Sequence, residues 1–235
     1  MLFLRKRRAL FFILALLLSL AALLPARRPL LPAFAPSEQG SVVYVLDAGH
    51  GGEDGGAVSH SGVRESDVNL AIAKRLDALL RFLGRDTVLT RTEDVSVYTE
   101  GAETLRQKKA SDLKNRVALV NAIPNAVLVS IHQNSLPSVP SVWGAQVFYG
   151  AAEPGAALAN SVQAALNECV NDREKHEKRI DPSIYLMKKV TCPAILVECG
   201  FLSNEGEAAK LETPEYQKRL AAVIAAGLLN AEELP

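Results

Sequence analysis

Apolar positions along the chain follow two different periods. Residues 42–46 form a continuous apolar, β-branched run, the pattern of a strand covered on both faces. A glycine-rich loop follows at 49–56. Val68, Ile72, Leu76, Leu79 and Leu83 then recur at helical spacing, with Ser66 as the expected N-cap and Gly84 as the stop. Residues 87–90 read as a short strand and 92–109 as a polar insertion. Ser111 is the expected cap of a helix carrying Leu113, Val117 and Val120 on one face. Residues 126–132, 144–149 and 194–198 read as further strands, 184–187 as a short extended piece, and 154 to about 169 as a helix. Two helices close the chain: one after Asn204, with Glu207 completing a capping box, and one with Pro214 at its first position. Strands alternating with helices predict a single α/β domain, a mainly parallel twisted sheet of about six strands covered by helices on both faces. In such sheets ligands bind beyond the carboxyl ends of the strands.

The first 40 residues are of another kind. Four basic residues, Arg5 to Arg8, precede an apolar run at 9–24 whose one polar side chain is Ser19, and four prolines lie between 25 and 40. The run falls between a signal-peptide core and a spanning helix in length, and its heavier positive flank places the N-terminus in the cytoplasm and the domain outside. The one small-x-small cleavage candidate, Ala33-Phe34-Ala35, stands far past the run and is followed by Pro36, a poor protease subsite. An uncleaved anchor is therefore favoured over a removed signal, with 1–40 as anchor and Pro-rich tether and 41–235 as the folded domain.

A formal charge of zero conceals an asymmetry, because residues 41–235 carry 20 basic against 25 acidic side chains. A domain of that sign repels phosphate backbones, which excludes nucleic acid as a partner and disfavours anionic lipid binding by the domain. Three cysteines, Cys169, Cys192 and Cys199, show no C-x-x-C spacing. An odd number argues against a disulfide framework and for small buried hydrophobes.

Three strands end on polar residues that a fold alone does not require: Asp47-Ala48-Gly49-His50-Gly51-Gly52, Ser130-Ile131-His132-Gln133-Asn134 and Val197-Glu198-Cys199-Gly200-Phe201. All three ends project to one rim. Alternation puts Glu198 on the face of Leu196 and Ala194, with Cys199 opposite. Glu65, just before the first long helix, is a fourth candidate for that rim. Two imidazoles and a carboxylate with one open position is a catalytic zinc arrangement. Each residue also has a plainer account. His50 or His132 alone is more often a hydrogen-bonded surface residue, and Glu65 alone is a solvated acid suited to the helix dipole. Glu198 is harder to dismiss, since a carboxylate ending an apolar strand needs a partner charge or a metal. The glycine-rich loop lacks the spacing of a nucleotide-binding motif. His60 and His176 stand in polar stretches and read as bland. Arg91 and Arg116 read either as carboxylate binders for a substrate or as buried structural ion pairs.

The blocks around His50 (with Asp54-Gly55-Gly56 behind), Glu65, His132 and Val197 to Asn204 together resemble the family 3 N-acetylmuramoyl-L-alanine amidases, over residues 42–228. The resemblance implies that His50, Glu65 and His132 bind Zn2+, that Glu198 is the catalytic carboxylate, and that the substrate is the amide between the lactyl group of N-acetylmuramic acid and L-alanine in peptidoglycan. Lys178-Arg179-Ile180, Ile184 to Met187, the Asp112 to Arg116 segment and the lack of wall-binding repeats are similar to the germination-specific branch of spore formers, which implies a role in spore cortex, in muramic lactam formation, outside the cytoplasm and in the forespore intermembrane space. Ala48 stands where that family has Pro, and Ser66 where Lys commonly follows the glutamate; neither change removes a ligand. A general wall-turnover amidase, a wall-binding module with a decayed site, and a serine or cysteine hydrolase using Ser130, Ser203 or Cys199 are the competing expectations. Any protein activator is left open by the sequence.

Overall fold

The computed structural model describes residues 41–150 and 153–232. The expected anchor, tether and Ala33-Phe34-Ala35 site lie outside the described residues. Among those described, no helix is long and apolar enough to cross a membrane. Six strands form one sheet: β1 (Val43–Ala48), β2 (Asp86–Leu89), β3 (Ala126–Asn134), β4 (Gln146–Tyr149), β5 (Lys178–Arg179) and β6 (Ala194–Phe201). Their spatial order is β2-β1-β3-β6-β4-β5. Every neighbouring pair is parallel except β4 with β6. The expected mainly parallel α/β sheet is therefore present.

Six helices cover it: α1 (Glu65–Phe82), α2 (Leu105–Asn121), α3 (Glu153–Cys169), α4 (Tyr185–Lys189), α5 (Glu205–Leu211) and α6 (Pro214–Glu232). Strand residues of alternate parity enter two separate cores. Tyr44, Leu46, Val129, Ile131, Ile195 and Val197 pack with α1, α3 and α6, while Val45, Leu128, Ala194 and Leu196 pack with α2 and α4. Burial on both faces is why these strands read as unbroken apolar runs.

Several boundaries differ from the sequence expectation. The N-cap of α1 is Arg64, and Ser66 is a fully buried residue of the first turn. The insertion at 92–109 is not all loop, because α2 starts at Leu105 behind a reciprocal Thr104/Gln107 capping box, well before Ser111. The expected apolar face of Leu113, Val117 and Val120 does pack on the second core, but residues 105–111 before it carry no apolar stripe, since Leu105 and Ala110 are both exposed, so no period marks where the helix begins. Residues 184–187 are not extended: Tyr185–Lys189 is a single helical turn with Leu186 and Met187 buried side by side, too short for a period to show. The two-residue edge strand β5 escaped for the same reason. Asn204 does cap α5, accepting from Glu207 N at 3.0 Å, but the Glu207 carboxylate turns away from the helix to accept from Gly144 N and Phe201 N, each at 2.8 Å. Of the cysteines, Cys199 is buried and Cys192 half-buried as expected, whereas Cys169 is exposed at the end of α3; all three are free.

Behind the sheet α3 and α6 cross at unusually close range. A Cβ on Gly227 would lie 2.6 Å from the Val162 backbone, and Ser161 Oγ donates to Gly227 O at 2.8 Å. Glycine inside a helix costs about 1 kcal/mol against alanine, but adding a methyl here forces the helices apart, at roughly 1–3 kcal/mol for overpacking. Gly227→Ala is thus expected to lower the urea midpoint despite its better helix propensity. A raised midpoint would show that the crossing has slack.

Candidate active site

The carboxyl ends of β1, β3 and β6 meet at one rim. His132 on β3 stands in register beside Glu198 on β6. Beyond that pair β6 advances three residues, to Phe201, while β3 advances two, to Asn134. This bulge ends the regular ladder at Glu198, as bulges beside functional groups commonly do. The Glu207 carboxylate holds it through Phe201 N.

His50 follows β1 with φ 61, in a left-handed conformation that is uncommon for a side chain with a Cβ and costs of order 1–3 kcal/mol. Two buried arginines stabilise the turn. Arg116, 2% exposed, donates to Asp47 Oδ1 at 2.6 Å, Ala48 O at 2.9 Å, His50 O at 2.8 Å and both Asp112 oxygens. Arg91, 3% exposed, donates to Ala48 O, Gly49 O, Ser66 O and Glu93 O. All five N–H groups of Arg116 and four of the five of Arg91 are thus spent on the protein. Arg91 and Arg116 are structural, and the substrate-binding alternative for them falls away.

Glu65, 4% exposed, lies between the two imidazoles. Its Oε2 is 3.3 Å from His50 Nε2 and its Oε1 2.9 Å from His132 Nδ1. The carboxylate also accepts from Ala57 N, Gln133 N and Asn69 Nδ2. One donor atom from each of His50, Glu65 and His132 can be chosen so that all lie within 4.8 Å of one another. The His50 and His132 rings meet edge to face, centroids 5.1 Å apart. Two glycines make this proximity sterically feasible. A Cβ on Gly49 would sit 2.2 Å from the His132 ring, and one on Gly56, which has φ 68, would sit 2.5 Å from Glu65 Oε2 and 2.8 Å from His50 Cδ2.

Burial raises the Glu65 carboxyl, but hydrogen bonds from His132 and His50 outweigh it and hold the group well below the usual carboxylate range. Burial likewise depresses the His50 imidazole, yet Asp54, with Oδ1 3.0 Å from Nδ1, and Glu65 together raise it to about 9. Glu198 is different. Burial pushes it up to about 7, with the His132 and His50 imidazoles opposing and the Glu65 charge adding, and its Oε2 is buried with no hydrogen-bond partner.

Asn69 was missed from sequence. It accepts from Gln133 Nε2 and donates to Gly49 O and Glu65 Oε1, joining β1, α1 and β3 beneath the rim. Its signal was available as a polar residue at the helical spacing of Glu65, Ile72 and Leu76. His60 and His176 are exposed and outside the cluster. Ser130 Oγ donates to Asp47 Oδ2 at 2.6 Å, Ser203 Oγ accepts from Leu136 N, and burial drives the Cys199 thiol far up. None of the three faces an imidazole, which removes the serine or cysteine nucleophile.

The Asp47 carboxyl is pushed up by burial, but Arg116 and the Ser130 hydroxyl outweigh that and hold it below its ordinary value. A depressed folded value means that its contribution is complete above the unfolded pKa of about 3.9 and fades as pH falls through the folded one. Asp47→Asn leaves part of a buried charge uncompensated and is expected to lose about 3 kcal/mol at pH 7, with a flatter stability profile below about pH 4 than the native chain. Chemical unfolding across pH measures both, and native-like stability at pH 7 would remove Asp47 from the clamp.

Residues 44–230 match the family model described as N-acetylmuramoyl-L-alanine amidase. The germination-specific N-acetylmuramoyl-L-alanine amidase of Bacillus subtilis (strain 168) is 40% identical over 193 residues, 81% of this chain and 79% of that protein. The CwlD amidase from Clostridioides difficile, solved in complex with the GerS lipoprotein, superposes with TM-score 0.79 at 36% identity, over 83% of this chain and 100% of that one. AmiC2 of Nostoc punctiforme gives 0.71 at 32% identity, over 83% and 100%. The chain belongs to the N-acetylmuramoyl-L-alanine amidase family, whose substrate is peptidoglycan.

Proposed function

We propose that this chain is a zinc-dependent amidase that hydrolyses the bond between the lactyl carbonyl of N-acetylmuramic acid and L-alanine, with His50, Glu65 and His132 as ligands and Glu198 as catalytic residue. The observation that carries the proposal is the buried Glu65 carboxylate flanked by two imidazoles, with the unpartnered Glu198 Oε2 nearby. The donor set fits Zn2+. Two nitrogens and one carboxylate leave an open position, as catalytic zinc requires, and no lysine or arginine touches Glu65 among the described residues, so a cation would balance its buried charge. Asp54 beside His50 Nδ1 would orient that ring as carboxylates orient ligating histidines.

Bound there, the ion would supply Lewis acidity to the scissile carbonyl and acidify water at neutral pH. The chain's own part is positional and protolytic. Gly49 and Gly56 let the two rings and Glu65 converge, and the Arg91/Arg116 clamp fixes the His50 backbone against the sheet. Glu198, lifted by burial toward neutrality, accepts a proton from the attacking water and returns it to the departing alanine nitrogen. The decayed-module reading is disfavoured because all four side chains and their supports are intact.

We infer a role in spore cortex maturation, supported by likeness to a germination-specific relative, with residues 1–40 as anchor or export segment and 41–235 as the catalytic domain acting on peptidoglycan outside the cytoplasm. General wall turnover is the rival. The lipoprotein held by the Clostridioides difficile neighbour supports looking for a protein partner here as well.

Elemental analysis of the purified chain is expected to find one zinc, largely lost in His132→Ala. Glu198→Gln should keep the metal and lose about 10²–10⁴ in turnover on muropeptides. Full zinc retention in the first variant, or a near-native rate in the second, would overturn the respective role. Deletion of the gene should abolish muramic lactam in spores while vegetative cells separate normally; unchanged cortex with chained cells would place the enzyme in wall turnover.

A further inference from the structure

Beside the rim, a cleft of about 380 Å³ runs from His50 along the first two turns of α2, lined by Glu53, Asp54, Ser96, Leu105, Arg106, Lys108, Lys109 and Asp112 among its wall residues. Leu105, Lys108, Lys109 and Asp112 recur at i, i+3, i+4 and i+7, so one helix face forms that wall. Three of the lining acids are already matched. Lys108 pairs with Glu53, Lys109 Nζ lies 3.0 Å from Asp54, and Arg116 binds Asp112 at 2.7 Å from beneath. Arg106 is left over: exposed, and without a hydrogen bond or ion pair among the described residues. Leu105 beside it is 62% exposed. Their backbone is held in place, because Gln107 N donates to Thr104 Oγ1 while Gln107 Oε1 accepts from Thr104 N and Glu103 N.

A ligand entering this cleft from His50 therefore meets an apolar side chain and one uncompensated cation. That combination suits a singly anionic peptide better than a sugar, whose neutral hydroxyls accept weaker, single bonds from a guanidinium than a carboxylate does and whose ring faces seek aromatic planes. Tyr98, an aromatic beside Lys108, is already covered by Lys108 Nζ at 5.3 Å from its ring centroid. We propose that the cleft receives the stem peptide on the leaving side of the scissile amide, and that Arg106 pairs with the carboxylate of the acidic residue following L-alanine. The planar guanidinium matches a carboxylate two bonds at a time. Arg106 would then determine specificity, favouring a free carboxylate over its amide, while the glycan lies on the opposite side of the site. This rests on the amidase reading above.

The test uses the full chain, zinc-loaded, with two synthetic substrates whose γ-carboxyl is capped as the methylamide, as the next peptide bond caps it in a stem, so that they differ only in a free α-carboxylate against an α-amide: the γ-methylamides of N-acetylmuramoyl-L-alanyl-D-glutamate and of N-acetylmuramoyl-L-alanyl-D-isoglutamine. The native chain is expected to favour the carboxylate by about tenfold in kcat/KM, the size of one charge-assisted contact, mostly through KM. Arg106→Gln should shrink the preference to about twofold, Arg106→Lys should keep part of it, and raised salt should weaken it in the native chain. Calorimetric titration of the Glu198→Gln chain with both compounds reads the same contrast without turnover. Equal kcat/KM and equal affinity of the native chain for the two compounds, or an unchanged preference in Arg106→Gln, overturns the proposal. Failure of the native chain to cleave either compound would overturn the amidase reading and this inference with it.

Discussion

Two guanidinium groups buried under the rim support the whole arrangement. Arg91 comes from the loop just past β2 and Arg116 from α2, and both converge on the backbone carbonyls of the turn after β1. A left-handed His50 cannot hold itself in place, since the local backbone prefers other conformations. The turn persists because its carbonyls, cut off from water, have been given charged donors, whose hydrogen bonds are roughly twice as strong as neutral ones. Asp47 and Asp112 in turn keep the Arg116 charge compensated. Removing any one member strands another, which is why the group acts as a unit.

The same turn divides the molecule into parts with different physical tasks. Below it the sheet is dry on both faces and packed against helices, with Val45, Leu46, Leu128, Val129, Ile195 and Val197 almost wholly buried. Above it the ends of three strands carry His50, His132 and Glu198. The polar layer lies where the apolar core stops, so the carboxylates are desolvated enough to be perturbed yet open on one side. Glu65 and Glu198 answer that environment in opposite directions. Glu65 is ringed by donors and held ionised, whereas Glu198 has distant imidazoles, no hydrogen-bond donor on Oε2, and rises to about 7. Two carboxylates set apart by their surroundings are what division of labour between ligation and proton transfer calls for.

Steric permission matters as much as charge. Gly49 and Gly56 are glycines because His132, His50 and Glu65 occupy the volume where a Cβ would stand. Asn69 and Gln133 then complete a hydrogen-bonded path from β1 through α1 to β3, so the three metal-binding candidates are braced by one another's supports. Glu207 does the same for the far side of the rim, tying the bulge after Glu198 to the start of β4.

By itself the sequence determined the sheet, its mostly parallel sense and the set of residues at its rim, because strands buried on both faces write themselves as apolar runs and end on polar residues that nothing else explains. The motifs around His50, Glu65, His132 and Glu198 were legible as a family resemblance for the same reason. What stayed hidden were features whose physical cause is not local. The early start of α2 has no apolar stripe, since Leu105 and Ala110 in residues 105–111 are both exposed and the turn is held by its capping box. The single turn of α4 and the two residues of β5 are too short to show a period and exist through tertiary contact alone. The two arginines were undecided until β2 and α2 were folded against the turn, because a guanidinium reads alike in sequence whether it faces a substrate or a backbone carbonyl. The separate surroundings of Glu65 and Glu198, identical in chemistry along the chain, arose only when folding gave one of them donors and the other none.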